Sequence, residues 1–353
     1  MFFFCFSAGA WEIKKYQMEI NGIAEGGSIL LKEENQNLKK IMWSHLRIKV
    51  KKEKNTYTAF LSYEIFPVYA FNKNAEIPVF YTSLKDYRIF DISEKLFSEE
   101  RAQILQNLNR CYYRRFYQSV EFSAGRQIIS LGTAKGISPV EIFTGLKNFS
   151  LEDEEPFGVD SFWIKKYFSV KDTEVEIQTG VVMGKKKVLK NGGFFVKGYY
   201  PSEKGDFKLI GLKAKDWYAL GFGAYLPVKK AGFWIDSGLF LKSSKVYFRN
   251  ASGVEHLFFQ KVYIFVEYYY NQAKEKILEI TFQPPEKNYL IAGLNWSKDI
   301  FETSFFGGKG FDSEEYFFQV KEEISLGENL FLVAGGLGTN SQKFFFLKFK
   351  YYY

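Results

Sequence analysis

Phe345-Phe346-Leu347-Lys348-Phe349-Lys350-Tyr351-Tyr352-Tyr353 ends the chain, and its reading decides the fold. Phe345, Leu347, Phe349, Tyr351 and Tyr353 occupy every second position, with Phe346, Lys348, Lys350 and Tyr352 between them. Side chains alternate across a β-strand, so such a segment offers one apolar face and one face that carries charge. The same pattern recurs upstream. Met42, Ser44, Leu46, Ile48 and Val50 alternate with Trp43, His45, Arg47, Lys49 and Lys51. Tyr218, Leu220, Phe222, Ala224 and Leu226 alternate with Trp217, Ala219, Gly221, Gly223 and Tyr225. Phe233, Ile235, Ser237, Leu239 and Leu241 oppose Trp234, Asp236, Gly238 and Phe240, and Val175, Ile177, Thr179 and Val181 oppose Glu174, Glu176, Gln178 and Gly180.

Segments of about ten residues with this alternation, separated by short turns, suit a wall that meets lipid on one side and water on the other. Composition agrees: aromatic residues make up 20% of 353 residues, charged residues 25%, and the mean hydropathy is −0.21. No run of about 18 apolar residues occurs, which excludes a transmembrane helix. A soluble β-sandwich or β-helix would also alternate. Against it stand the absence of any helical stretch through the repeating region, the crowding of aromatics at segment ends (Phe194-Phe195, Tyr199-Tyr200, Tyr268-Tyr269-Tyr270) and only 8 prolines for so many turns. Aromatic belts at the two membrane interfaces account for the crowding. The expected fold is therefore all-β: a single antiparallel transmembrane β-barrel over 11–353 with about 18 strands, 16 being the alternative even number.

Three segments fall outside the pattern. Residues 1–10 have an apolar stretch and an Ala8-Gly9-Ala10 cleavage pattern without a basic start, and read as a truncated signal peptide. Ile92 to Arg110 reads as a short helix or a connection. A second long connection, 132–157, holds Ser138-Pro139 and the acidic run Glu152-Asp153-Glu154-Glu155, and folds either into the lumen or outward.

Gly125-Arg126-Gln127, followed by Ser138-Pro139-Val140-Glu141-Ile142-Phe143 and then Gly158-Val159-Asp160, resembles a stretch of large outer-membrane porins of the alginate-export group. Glu141 stands where that pattern usually has Asp. The alternating aromatic end of the chain resembles the closing-strand signal of outer-membrane proteins. An unpaired last strand has free N–H and C=O groups that edge pairing can satisfy. The resemblance implies a bacterial outer-membrane location and a channel for passive passage of small hydrophilic solutes or ions. It also implies contact with membrane lipid and lipopolysaccharide, and recognition by the barrel-assembly machinery through Phe345, Leu347, Phe349, Tyr351 and Tyr353. It leaves a homo-oligomer open. The other reading of the same barrel is a plugged adhesin or surface scaffold.

A guanidinium at the lipid midplane costs about 2–4 kcal/mol, so the reading places Arg126 in the lumen, on one face with Ile128 and Ser130, and gives Gln127, Ile129 and Leu131 to lipid. Glu121 and Asp160 are its candidate partners, and Arg47, Lys49, Arg115 and Glu141 complete the expected pore lining. The inferred inward faces also carry Lys197, Lys321, Lys348 and Lys350 against Glu19, Glu174, Glu176, Asp236 and Glu323. With a net charge of +8, this tilts the lumen weakly toward anions. No nucleic-acid motif accompanies the basic balance. His45 and His256 are the only histidines and no Gly-x-Ser-x-Gly elbow occurs, so no enzyme is expected. Of two cysteines only Cys111 remains if the leader is removed, and neither a metal site nor a cofactor is implied.

Overall fold

Alternation of this kind, continued through the chain, leaves each strand with an apolar row that must be turned outward and a polar row that must be enclosed. Closing the sheet on itself does both and leaves no edge. The computed structural model describes residues 11–13, 18–33, 38–71, 95–99, 101–143, 158–170, 172–185, 192–273, 287–312, 315–340 and 342–353. It has twenty strands in one antiparallel sheet: β1 (Trp11–Ile13), β2 (Met18–Glu33), β3 (Lys39–Lys54), β4 (Tyr57–Ala70), β5 (Lys95–Ser98), β6 (Ala102–Tyr117), β7 (Val120–Gln127), β8 (Val159–Val170), β9 (Thr173–Val182), β10 (Gly193–Ser202), β11 (Gly205–Ala214), β12 (Trp217–Val228), β13 (Ala231–Lys242), β14 (Lys245–Phe258), β15 (Val262–Asn271), β16 (Asn288–Lys298), β17 (Phe301–Gly310), β18 (Tyr316–Ser325), β19 (Leu330–Thr339) and β20 (Gln342–Tyr352). β20 pairs with β2 from Ile23↔Tyr352 to Glu33↔Gln342 and closes the barrel. Eighteen strands form the wall. The other two are fillers: β1 pairs only with Met18–Ile20 of β2, beyond the end of β20, and β5 pairs only with Gln103–Leu105 of β6, beyond the end of β7.

The two faces separate as the sequence dictates. Leu209 and Leu220 are 68% and 71% exposed, and Phe345, Leu347 and Phe349 stand out on the same outer surface. The intervening Trp217, Trp234, Asp236, Phe240, Lys348 and Lys350 are buried inside.

One expectation is corrected here. Ile92 to Arg110 contains no helix among its described residues; Lys95–Ser98 and Ala102 onward are strand. The alternation was obscured because the inward row of β6 is itself polar, with buried Asn107 and Asn109 both donating to Glu64 on β4. A bulge at Ser62/Tyr63 breaks the period further.

The ends of the barrel differ. At the end where β2 begins, the turns are short, as at 55–56, 118–119, 203–204, 229–230 and 299–300, while the long connections, 71–101, 128–158, 183–192 and 272–287, all leave from the opposite end. Residues 1–10 and the acidic run 152–155 lie outside the described residues.

Candidate constriction site

β7 leaves the wall early. It is 8 residues long, whereas its neighbour β6 has 16, and the chain turns into the barrel after Gln127. Ile129, Leu131, Val140, Ile142 and Phe143 then pack in one buried cluster with Trp217, Ala219 and Phe240 of the far wall. Ile137 joins a second, with Trp234, Phe265, Tyr269 and Ile291. This corrects the expected strand Gly125–Gly132: Ile129 and Leu131 are apolar because they pack inside the lumen, not because they meet lipid.

Room for this segment comes from glycines on the inward faces of β10 and β12. A Cβ at Gly221 would lie 2.7 Å from Val140 Cγ1, one at Gly223 2.6 Å from Thr133 Oγ1, and one at Gly193 2.4 Å from Phe143 Cζ. These glycines form a trough in which the segment lies.

Backbone amides inside a barrel need acceptors, since a buried unpaired N–H costs about 1–3 kcal/mol. Seven consecutive amides, 131–137, find them in three carboxylates. Leu131 and Gly132 donate to Glu141 Oε2 at 2.8 and 3.0 Å, which closes the segment on itself. Thr133 and Ala134 donate to Asp236 Oδ2 on β13, at 2.9 and 3.3 Å, and the Ser138 hydroxyl adds a third bond at 2.6 Å. Lys135, Gly136 and Ile137 donate to Glu267 on β15, as does Trp234 Nε1. From the other side, Lys208 and Lys197 donate to the carbonyls of Gly132 and Ser130. Lys135, at the tip, reaches to 3.4 Å from Glu255, which also accepts the hydroxyls of Tyr225 and Tyr263.

The sequence-derived residues divide among three places. Glu141 is on the inward segment. Arg47, Lys49 and Glu121 are on inward rows of the wall: Arg47 donates to Glu64, and Glu121 pairs with Arg114 at 3.2 Å and Lys165 at 3.8 Å. Arg126 and Asp160 form a bidentate pair at 2.8 and 3.1 Å, but Glu121 is not their partner. Their register rows alternate with inward Ser123 and Ser161, and the guanidinium, 3% exposed, also donates to the Leu108 carbonyl of β6, beyond the end of the β6–β7 ladder. Gly125, with φ +121°, bends the strand just before it. Arg126 is thus built into the wall where β7 departs, on the row opposite to the one expected. Arg115 is also on the outward row, in register with Tyr57 and exposed, because the β6 bulge shifts the alternation that placed it inside.

Glu267 and Lys208 escaped the sequence reading. Phe265-Val266-Glu267-Tyr268-Tyr269 alternates and so puts Glu267 on an inward row, but the adjoining tyrosine run carries the stronger signal, that of a membrane interface. At the end of the chain, Tyr353 stacks over Gly22, where a Cβ would lie 2.3 Å from its Cζ, and its hydroxyl donates to the Arg47 carbonyl at 3.0 Å. No metal-binding group of three or more His, Cys, Asp or Glu occurs among the described residues.

Neither a protein-family model nor a curated protein sequence matches the chain. Solved structures do. OccK8 (OprE) of Pseudomonas aeruginosa superposes with a TM-score of 0.59 at 9% identity, over 95% of this chain and 98% of its own. OccAB2 of Acinetobacter baumannii gives 0.59 at 10% identity over 98% and 99%, and a mutant porin of Rh. blastica gives 0.50 at 10% over 95% and 100%. At these identities the likeness establishes the fold, an 18-strand antiparallel barrel of porin type.

Proposed function

We propose that this chain is an outer-membrane channel for passive passage of small hydrophilic solutes or ions, with a weak preference for anions. One observation carries the reading: segment 128–143 lies inside a closed barrel and is tied by its amides to Asp236 and Glu267 on the far wall. A segment held there narrows the lumen, and charged side chains around such a narrowing select among permeants. Short turns at one end and long connections at the other fit an orientation with the short turns in the periplasm. Anion preference is supported by the net charge of +8, because at the segment itself Lys135, Lys197 and Lys208 are offset by Glu141, Asp236, Glu255 and Glu267. The resemblance to alginate-export porins rests on Gly125-Arg126-Gln127, the Ser138–Phe143 stretch and Gly158-Val159-Asp160.

Purified, folded protein in planar bilayers should give discrete current steps, with a reversal potential in a salt gradient displaced toward the anion. Silence would favour the plugged scaffold. The outward row of β20 is the proposed signal for the assembly machinery. Removal of Tyr353 should lower the yield of heat-modifiable barrel in the outer membrane, and an unchanged yield would remove that role.

A further inference from the structure

Three lysines stand together on the lipid side of the barrel at the end that bears the long connections. Lys32 of β2 and Lys343 of β20 are direct cross-strand partners, both exposed and both on the outward row. Lys40 of β3 is exposed on the same row and in register with Leu30, two residues from Lys32. Like charges placed directly opposite each other across a ladder are destabilising. Among the side chains described, no carboxylate forms an ion pair with Lys32 or Lys343, and the register partner of Lys343 on β19 is Gly338, which brings no side chain to it. Lys40 is held against the ring of Phe71, its ammonium 5.0 Å from the centroid, while the Phe71 amide donates to the Lys40 carbonyl.

Depth gives the patch its meaning. Immediately below the three ammonium groups, the outward positions are Leu30, Met42, Phe345 and Leu347, all exposed apolar side chains. The lysines therefore mark the upper border of the apolar band, where the phosphates of a lipid lie. Basic side chains at this depth attract anionic headgroups, and three on adjacent strands suit a ligand with more than one phosphate.

We propose that Lys32, Lys40 and Lys343 form a binding site for the phosphates of the lipopolysaccharide glycolipid in the outer leaflet. The proposal rests on the outer-membrane reading given above for location and orientation; it does not depend on channel activity. The glycolipid's acyl chains would run down over Leu30, Met42 and Phe345, and its phosphates would neutralise the opposed lysine pair.

The opposite rim of the barrel, on β3 and β6, supplies a matched control. Lys52, Lys54 and Arg115 lie on outward rows near the short turns, so neutralising them removes the same charge from the other end of the wall. Full-length barrel, freed of lipid in mild detergent, is titrated with purified lipopolysaccharide and with the same material after enzymatic dephosphorylation. The variant K32Q/K40Q/K343Q should bind the intact glycolipid about a hundredfold more weakly than wild type, and K52Q/K54Q/R115Q should bind it as wild type does. Wild type should bind the dephosphorylated form about as weakly as the first variant binds the intact one. Equal losses in the two variants, undiminished binding of the dephosphorylated form, or equally good competition by phosphatidylglycerol would each overturn the site. Conductance, measured on the same preparations, tests the channel independently. A barrel that carries no current yet binds in this pattern leaves the site standing.

Discussion

The inner wall satisfies its charges in two different ways. From β20 through β2, β3 and β4 to β6 the charges answer one another across the ladder. Arg47 donates to Glu64, its register partner; Glu64 accepts from Asn107, its partner on the other side, and from Asn109; Lys348 pairs with Glu25 at 2.7 Å. Along β13 and β15 the carboxylates have no such partners in the ladder and instead hold backbone about 100 to 130 residues away, as Asp236 does with Thr133 and Glu267 with Ile137. The first arrangement lies within the ladder, in register for Arg47, Glu64 and Asn107 and one diagonal step off it for Lys348 and Glu25, since Lys348 faces Gly27. The second exists only because β7 stops short and β12 offers glycines. Pairs built into the ladder stiffen the wall, whereas carboxylates that bind loop amides shape the space within it.

The largest expected effect is on the laddered half. Glu64 and Arg47 are both almost completely buried, so Glu64→Leu takes an acceptor from a buried guanidinium and from two carboxamides. Breaking a buried pair in this way costs about 3–5 kcal/mol. The heating temperature at which the compact barrel band disappears from gels should fall clearly, while surviving barrels keep quiet single-channel currents. A variant as heat-resistant as wild type would show that water replaces the lost carboxylate, and that this half of the lumen is wetter than its packing implies.

Glu267→Ala attacks the other half and should invert that result. Three amides and the Trp234 indole lose their acceptor, yet the wall ladder is untouched. Heat resistance should change little and open-channel noise should rise as the segment loosens. Quiet currents would mean that the apolar clusters alone fix the segment. Gly221→Val is a smaller and opposite perturbation. It fills the trough beneath Val140, at an overpacking cost of about 1–3 kcal/mol, and should displace the segment toward the open lumen and lower unitary conductance. An unchanged conductance would place the narrowest passage elsewhere.

How far the sequence alone discloses these two halves follows from the same distinction. Period-2 alternation is a local property, so the barrel, the outward row of β20 and the inward charges of β3 can all be read from neighbours in the chain. Arg47, Lys49 and Glu121 fall on the inward rows that this alternation assigns them. Long-range contacts have no such local trace. Nothing within a few residues of Glu267 announces the amides of 135–137, and Ile129 and Leu131 look lipid-facing because an apolar residue enclosed in a lumen is indistinguishable in sequence from one turned to lipid. Arg115 was misplaced for a smaller reason: a single bulge in β6 reverses every face beyond it.

Arg126 tests the boundary between the halves and should give the smallest effect on current. If it were a filter in the lumen, Arg126→Gln would remove a fixed positive charge from the path and shift the reversal potential toward cations. Its geometry argues otherwise. The guanidinium is spent on both oxygens of Asp160 and on the Leu108 carbonyl, and so bridges β6, β7 and β8 where the ladder between the first two has ended. Loss of the positive charge would be matched inside the wall by an Asp160 carboxylate without its bidentate partner, not by a new field along the lumen axis. Arg126→Gln should therefore leave selectivity near wild type while lowering heat resistance. Adding Asp160→Asn should recover part of that loss, because the buried negative charge is then removed as well. A clear selectivity shift in the single variant, with heat resistance intact, would return Arg126 to the pore lining and make the junction of β7 with its inward segment the filter itself.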